Sequence, residues 1–243
     1  MQDDLLPPQA DIDWAKSQLP ILGGRMAAWR QECSHTLLED LDSQPGQKFI
    51  RVRDVKPMPL IINAEVGAII NSIRSSLDVL AVTLAERNGA VAPKDIYFPI
   101  CRSSGQFSAK KNGGHKKIHR LSNADKIVIE HLQPYNTGNN MLSAVHNLDI
   151  ARKHRRLVAI FGYAEPLAIT GYGAPPRMRF NPWVRIENDA VLATGDATAT
   201  HHEIQLLLDI SFDEAEFLDR KPVLPTLCEF ADLAESIIKL FDS

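Results

Sequence analysis

The stretch from residue 61 to residue 87 constrains this chain more than any other part of it. Ile62, Val66, Ile69, Ile70, Ile73, Leu77, Leu80, Ala81 and Leu84 recur at the three- and four-residue spacing of a helical stripe. The opposite side is mild as well, with Ala68, Ser72, Ser75, Val79 and Val82. A helix apolar nearly all round is one that the fold buries, and Asn88-Gly89 supplies its stop. Between Glu65 and Glu86 only Arg74 and Asp78 ionise, four residues apart on one face, with Asn71 one turn before Arg74. Charge on a buried helix is costly unless it is paired and hydrogen-bonded. These three side chains therefore need partners.

Residues 140–156 form a second helix that offers them. His146, Asp149 and Lys153 fall at i, i+3 and i+7, while Met141, Val145 and Leu148 cover another face. Face-to-face packing predicts that Arg74 meets Asp149 and Asp78 meets Lys153, with Asn71 and His146 at the ends of the cluster. Two readings follow. One is a buried ion-pair network that fixes helix register. The other is a site in which His146 or His154 handles a proton and Arg74 or Lys153 holds an anion. An exposed face used for a homodimer is a third.

The rest of the chain frames that helix pair. Residues 10–42 read as amphipathic helix, interrupted near Pro20 and Gly23-Gly24. Phe49, Ile50, Val52 and Val55 alternate with Arg51, Arg53 and Asp54, a strand closed by Pro57 and Pro59. Ser122, with Asp125 three residues later, reads as the N-cap of a short helix reaching about Leu132. Residues 157–172 are β-rich, 177–194 suggest a hairpin, and Ile204 to Phe212 is a strong strand. Pro225 opens a last amphipathic helix. Strands and helices do not alternate regularly, so the order points away from a doubly wound parallel sheet. The expected class is α+β, a helical bundle core packed against a mostly antiparallel sheet. We expect one domain, with helices at 10–42, 60–156 and 225–241 and strands at 48–56 and 157–213.

Residues 102–120 carry Arg102, Lys110, Lys111, Lys116, Lys117 and Arg120 and no acidic residue. The plain reading is a solvated loop. The sharper one is a lid or an anion-binding loop in which Lys116 and Lys117 meet phosphate or RNA. A net charge of −3 speaks against a wholly basic nucleic-acid binder. Cys33, Cys101 and Cys228 form no CxxC pair and suit a reducing compartment. The acidic, proline-bearing start lacks the basic and apolar regions of a signal peptide. No uninterrupted apolar run reaches the ~18 residues of a membrane span. These features predict a cytoplasmic protein with no membrane contact. No cofactor or metal is expected: adjacent His201 and His202 on a strand would point to opposite faces. Gly171 to Gly173 lacks the context of a nucleotide-binding turn. The acidic residues Asp209, Asp213, Glu214, Glu216 and Asp219 read as a solvated loop.

Four segments together resemble a family of uncharacterised bacterial proteins: Asn71 to Leu80 with Arg74 and Asp78, Phe98-Pro99-Ile100, Leu132 to Tyr135, and Leu148 to Arg155 with Asp149, Lys153 and His154. The pattern is roughly NxRSxLDxL, FPI, LQPY and LDxxxKHR, and it spans residues 60–160. A looser resemblance is to HEPN-type helical domains, many of them RNases, which set a histidine four to six residues after an arginine on one helix. Here Asp78 follows Arg74, and Arg152 stands two residues before His154. From these strands of reasoning the expected role is a binding or interaction protein. The alternative is an RNase-like, phosphate-directed hydrolase that uses His154, Arg74, Asp78, Asp149 and Lys153, with Asn71, His146, Lys116 and Lys117 holding the ligand.

Overall fold

A computed structural model describes residues 1–33, 36–41, 47–109, 111–154, 158, 160–170, 179–196, 203–213, 218 and 220–242. For residues 36–41, 47, 154, 165–170, 196 and 203–206 it describes the backbone alone. The architecture is α+β, with helices packed on antiparallel sheets.

After a short 3₁₀ turn, helix α1 (Leu6–Glu32) opens on prolines at its first positions, where a missing N–H costs nothing. It runs unbroken through Pro20, Gly23 and Gly24, contrary to the expected interruption. Its buried stripe, from Ile12 through Leu22 and Met26 to Trp29, is held by two neighbouring helices. Pro20 lies exposed on the outer side. At Gly23 an added Cβ would stand 3.1 Å from Leu224 Cδ2, so the small residue admits a close helix crossing.

The leucines at 37, 38 and 41, read as a continuation of that helix, are instead strand β1 (Thr36–Leu41). It pairs antiparallel with β2 (Gln47–Arg53), in register from Thr36 opposite Arg53 to Leu41 opposite Lys48. Helix α2 (Leu60–Arg87) is the predicted buried helix. It packs on α1, on α6 (Asn140–His154) and on α7 (Val223–Lys239). Gly89, with φ of +87°, follows its end. By length and composition α2 could cross a membrane, but more than half of its apolar window is buried within the protein. It is the core helix of the fold.

Between α2 and α6 the chain makes two short helices, α3 (Ser104–Ser108) and α4 (Gly114–Lys117), and then α5 (Asn123–His131). The Ser122 hydroxyl accepts from Asp125 N–H, the predicted cap. The described residues of 102–120 are largely exposed, as the solvated-loop expectation has it, but they carry α3 and α4, and Phe107 and Ile118 are buried in the main core and anchor the segment.

Among the described residues, two antiparallel sheets stand where one was expected. The first has the order β1-β2-β6-β4, with β4 at Arg179–Phe180 and β6 at Val191–Asp196. The second has the order β5-β3-β7, with β3 at Ile160–Thr170, β5 at Val184–Arg185 and β7 at Glu203–Phe212. The predicted 177–194 hairpin is split between them. Arg179 pairs with Thr194 in the first sheet, whereas Val184 pairs with Ala164 in the second. Trp183, at a positive φ of 51°, lies where the chain crosses over. Val52, Ala164, Ile186 and Leu192 form a small second core, with contributions from both sheets.

Candidate functional site

Arg74 is 5% exposed, and its guanidinium is spent inside the protein. Nε donates to His146 Nδ1 at 3.3 Å, and Nη2 donates to the Phe98 carbonyl at 3.2 Å. Nη1 lies 2.7 Å from Asp78 Oδ1, off line for a hydrogen bond, so that contact is charge pairing. The same Oδ1 accepts the Phe98 N–H at 2.9 Å. The i,i+4 pair thus grips both polar groups of one peptide residue, which fixes the 98–100 segment against α2. The next residue is held from elsewhere. Cys101 N–H donates to the Pro134 carbonyl at 2.9 Å, and Cys101 bridges Tyr135 in parallel.

The predicted cross-helix pairing does not occur. Arg74 pairs with Asp78 within α2, and Lys153 pairs with Asp149 within α6. Opposite charges one turn apart meet without moving either helix, and Arg74 is already committed to Phe98. What crosses between the helices at this level is the Arg74–His146 hydrogen bond. Asp149 is buried; its Oδ1 lacks a hydrogen-bond partner among the described residues, while Oδ2 meets the half-exposed Lys153.

His146 is pushed down to about 3, first by burial and then by the charges of Arg74, Lys117 and Lys153. Because Nδ1 accepts from Arg74, the neutral ring carries its proton on Nε2. Such a ring is a poor base near neutral pH.

The other expected site residues disperse. Asn71 Oδ1 accepts from Arg152 Nη1 at 3.3 Å rather than joining Arg74. Arg152, which the sequence did not mark as a site residue, lies against Gly67, where a Cβ would stand 2.8 Å from Arg152 Cδ. Lys116 is exposed and reaches Asn112, whereas Lys117 is half-buried with Nζ 3.5 Å from the Ile100 carbonyl. The side chains of His154 and Arg155 lie outside the described residues, as do Lys110, Gly171 to Gly173, His201, His202, Glu214, Glu216 and Asp219. Asp209 is not in a loop: it belongs to β7 and pairs with Arg30 at 3.5 Å. Asp213 accepts from the Tyr163 hydroxyl.

A second site went unseen in the sequence. A cleft of about 420 Å³ lies where the segment after β2, the first turn of α2, β3 and the turn after β5 meet the end of α1. Trp29, Lys56, Met58, Asn63, Phe161 and Arg185 are among its walls. Trp29 donates Nε1–H to the Lys56 carbonyl and lies on Gly162, where a Cβ would be 2.4 Å from Trp29 Cη2. Asn63 is 7% exposed; its Nδ2 donates to the Val158 carbonyl at 2.9 Å, and its buried Oδ1 has no hydrogen-bond partner among the described residues. The Arg185 guanidinium carbon sits 3.2 Å from the centre of the Phe161 ring. Polar residues drawn from distant segments around aromatic walls are the usual make-up of a small-ligand pocket. Its only sequence traces are Trp29 near the end of a helix, the Pro57-Met58-Pro59 break, and Asn63 in the apolar first turn of α2.

No family model, curated protein or solved structure matches this chain.

Proposed function

We propose that this is a cytoplasmic binding protein whose recognition site is the cleft, and whose Arg74–Asp78–His146 group is a structural clamp. The observation that carries the reading is the state of Arg74. Its Nε and Nη2 donate to His146 and Phe98, its charge is paired with Asp78, and the residue is 5% exposed, which closes it off from an anionic substrate. The depressed basicity of His146 points the same way, since a proton-transfer role needs a group poised near the working pH. The free cysteines Cys33, Cys101 and Cys228 fit a reducing compartment.

A phosphate-directed hydrolase on the helix pair is the second reading, and one observation favours it: Lys117 and Lys153 both direct positive charge at His146. Incubating the purified protein with mixed RNA at near-neutral pH separates the two. The binding reading expects no cleavage above buffer. Cleavage that is lost in the Arg74→Ala, His154→Ala double variant while that variant still folds would reverse the ranking.

A further inference from the structure

The walls of the cleft are of three chemical kinds, and together they specify a ligand. The first is a flat cationic surface. Arg185 lies against the Phe161 ring and is held loosely by Glu187 at 3.5 Å and Asp213 at 3.9 Å. A guanidinium stacked on a ring keeps its outer face free for another flat π-system.

The second is an environment for negative charge. Leu60, the first residue of the 28-residue α2, lines the cleft, and the N-cap residue of that helix, Pro59, supplies no side-chain hydrogen bond. Opening N–H groups and the helix dipole favour an anion there. Lys56 stands beside it, paired with Glu32. Glu32 and Glu187, the acidic counter-ions at the rim, are both more than half exposed. Exposed pairs of this kind exchange partners at little cost.

The third is an unused acceptor. Asn63 Oδ1 is buried, lacks a hydrogen-bond partner among the described residues, and belongs to a residue that lines the cleft. A buried polar atom without a partner is costly, and a donor on a bound ligand removes that cost.

We propose that the cleft binds a small planar anion: a ring that bears both a hydrogen-bond donor and a phosphate or carboxylate, as a mononucleotide does. The ring lies on Arg185, the anionic group faces Lys56 and the start of α2, and the donor reaches Asn63. The volume suits a single small ligand of this kind and not a polymer. The inference rests on the cleft being the recognition site.

The test is a titration of the full chain followed by NMR at the Trp29 indole and the Asn63 side-chain amide. The probes are nucleoside 5′-monophosphates, the matching nucleosides, nicotinate, inorganic phosphate, and a set of neutral aliphatic amides. Monophosphates or nicotinate are expected to saturate both signals at least tenfold more tightly than nucleoside or phosphate alone. The two anion classes then identify which acid group is used. Arg185→Lys keeps the charge and removes the plane, and it should weaken the ring-bearing anions severalfold while leaving phosphate unchanged. Lys56→Ala should weaken every anion.

Saturation by neutral amides with no response to ring-bearing anions would overturn the planar-anion assignment and leave the cleft as the binding site. No response at the cleft signals to any probe would also overturn it. Equal affinity of wild type and Arg185→Lys for the monophosphates would remove the stacking role on which it depends.

Discussion

Arg74 is engaged by three different neighbours, and that determines what its loss should do. Replacing it with methionine removes the counter-charge of Asp78 and strands the Phe98 carbonyl and His146 Nδ1 in a dry neighbourhood. The expected cost is about 2–4 kcal/mol, the range for breaking a buried charged contact and orphaning its partners. Urea unfolding of Arg74→Met, Asp78→Asn and the double variant measures it. The double variant should be less destabilised than the sum of the singles, because the two residues hold the same peptide. Strictly additive losses would mean that they act apart. At this scale the sequence exposed the i,i+4 pair but not its target. Spacing along a helix shows which side chains share a face, whereas Phe98 is gripped through its main chain, which any residue type would present equally. Asn71 to Leu80 supplies the grip, Phe98 to Ile100 is the segment gripped, Pro134 and Tyr135 hold the following residue, and Leu148 to Lys153 lies on the helix that brings His146.

Among the elements, helices with buried faces were legible and strand boundaries were not. The stripe of α2 and the Ser122 cap announce themselves locally. The leucines of 36–41 fit a helical spacing as well as a strand, and only the antiparallel partner β2 decides between them. The two-residue strands β4 and β5 could not be assigned to separate sheets from alternation alone. The cleft escaped for a related reason: its walls come from segments distant in sequence, each ordinary on its own.

Two glycines test the packing between elements in opposite directions. Gly162→Ala drives a methyl into the Trp29 ring, whose Cη2 would lie 2.4 Å away, and a rigid aromatic wedged between α1 and β3 cannot easily yield. Overpacking of this kind should cost about 1–3 kcal/mol, and it should shift the Trp29 indole resonance. Gly24 sits within α1 with nothing within 4 Å of an added Cβ. Gly24→Ala should therefore stabilise by about 0.5–1 kcal/mol through helix propensity. Thermal unfolding of the two variants reads both signs, and a stabilising Gly162→Ala would refute the contact.

For the molecule as a whole, the buried neutral His146 ties stability to pH. Its folded value, about 3, lies below the ordinary 6.5, so the unfolded chain takes up a proton as pH falls while the native state does not. Stability is therefore lost as pH drops through the window from about 6.5 to about 3, by an amount on the order of 4 kcal/mol from this group. Further down, Asp4 and Glu235 add their own losses. Their carboxyls are held low chiefly by hydrogen bonds from Arg87 and Lys239, so their contributions are present above the ordinary carboxylate range and vanish below it. His146→Gln keeps an acceptor for Arg74 and should flatten the stability profile between pH 6.5 and 5 while leaving the acid limb intact.

The central claim, that the helix-pair cluster is a closed clamp and not a proton-handling site, is tested most directly by an NMR titration of the His146 ring. The account predicts a neutral ring with its proton on Nε2, holding one set of nitrogen shifts from pH 8 down to below pH 4. A midpoint near 6.5, or a proton on Nδ1, would contradict it.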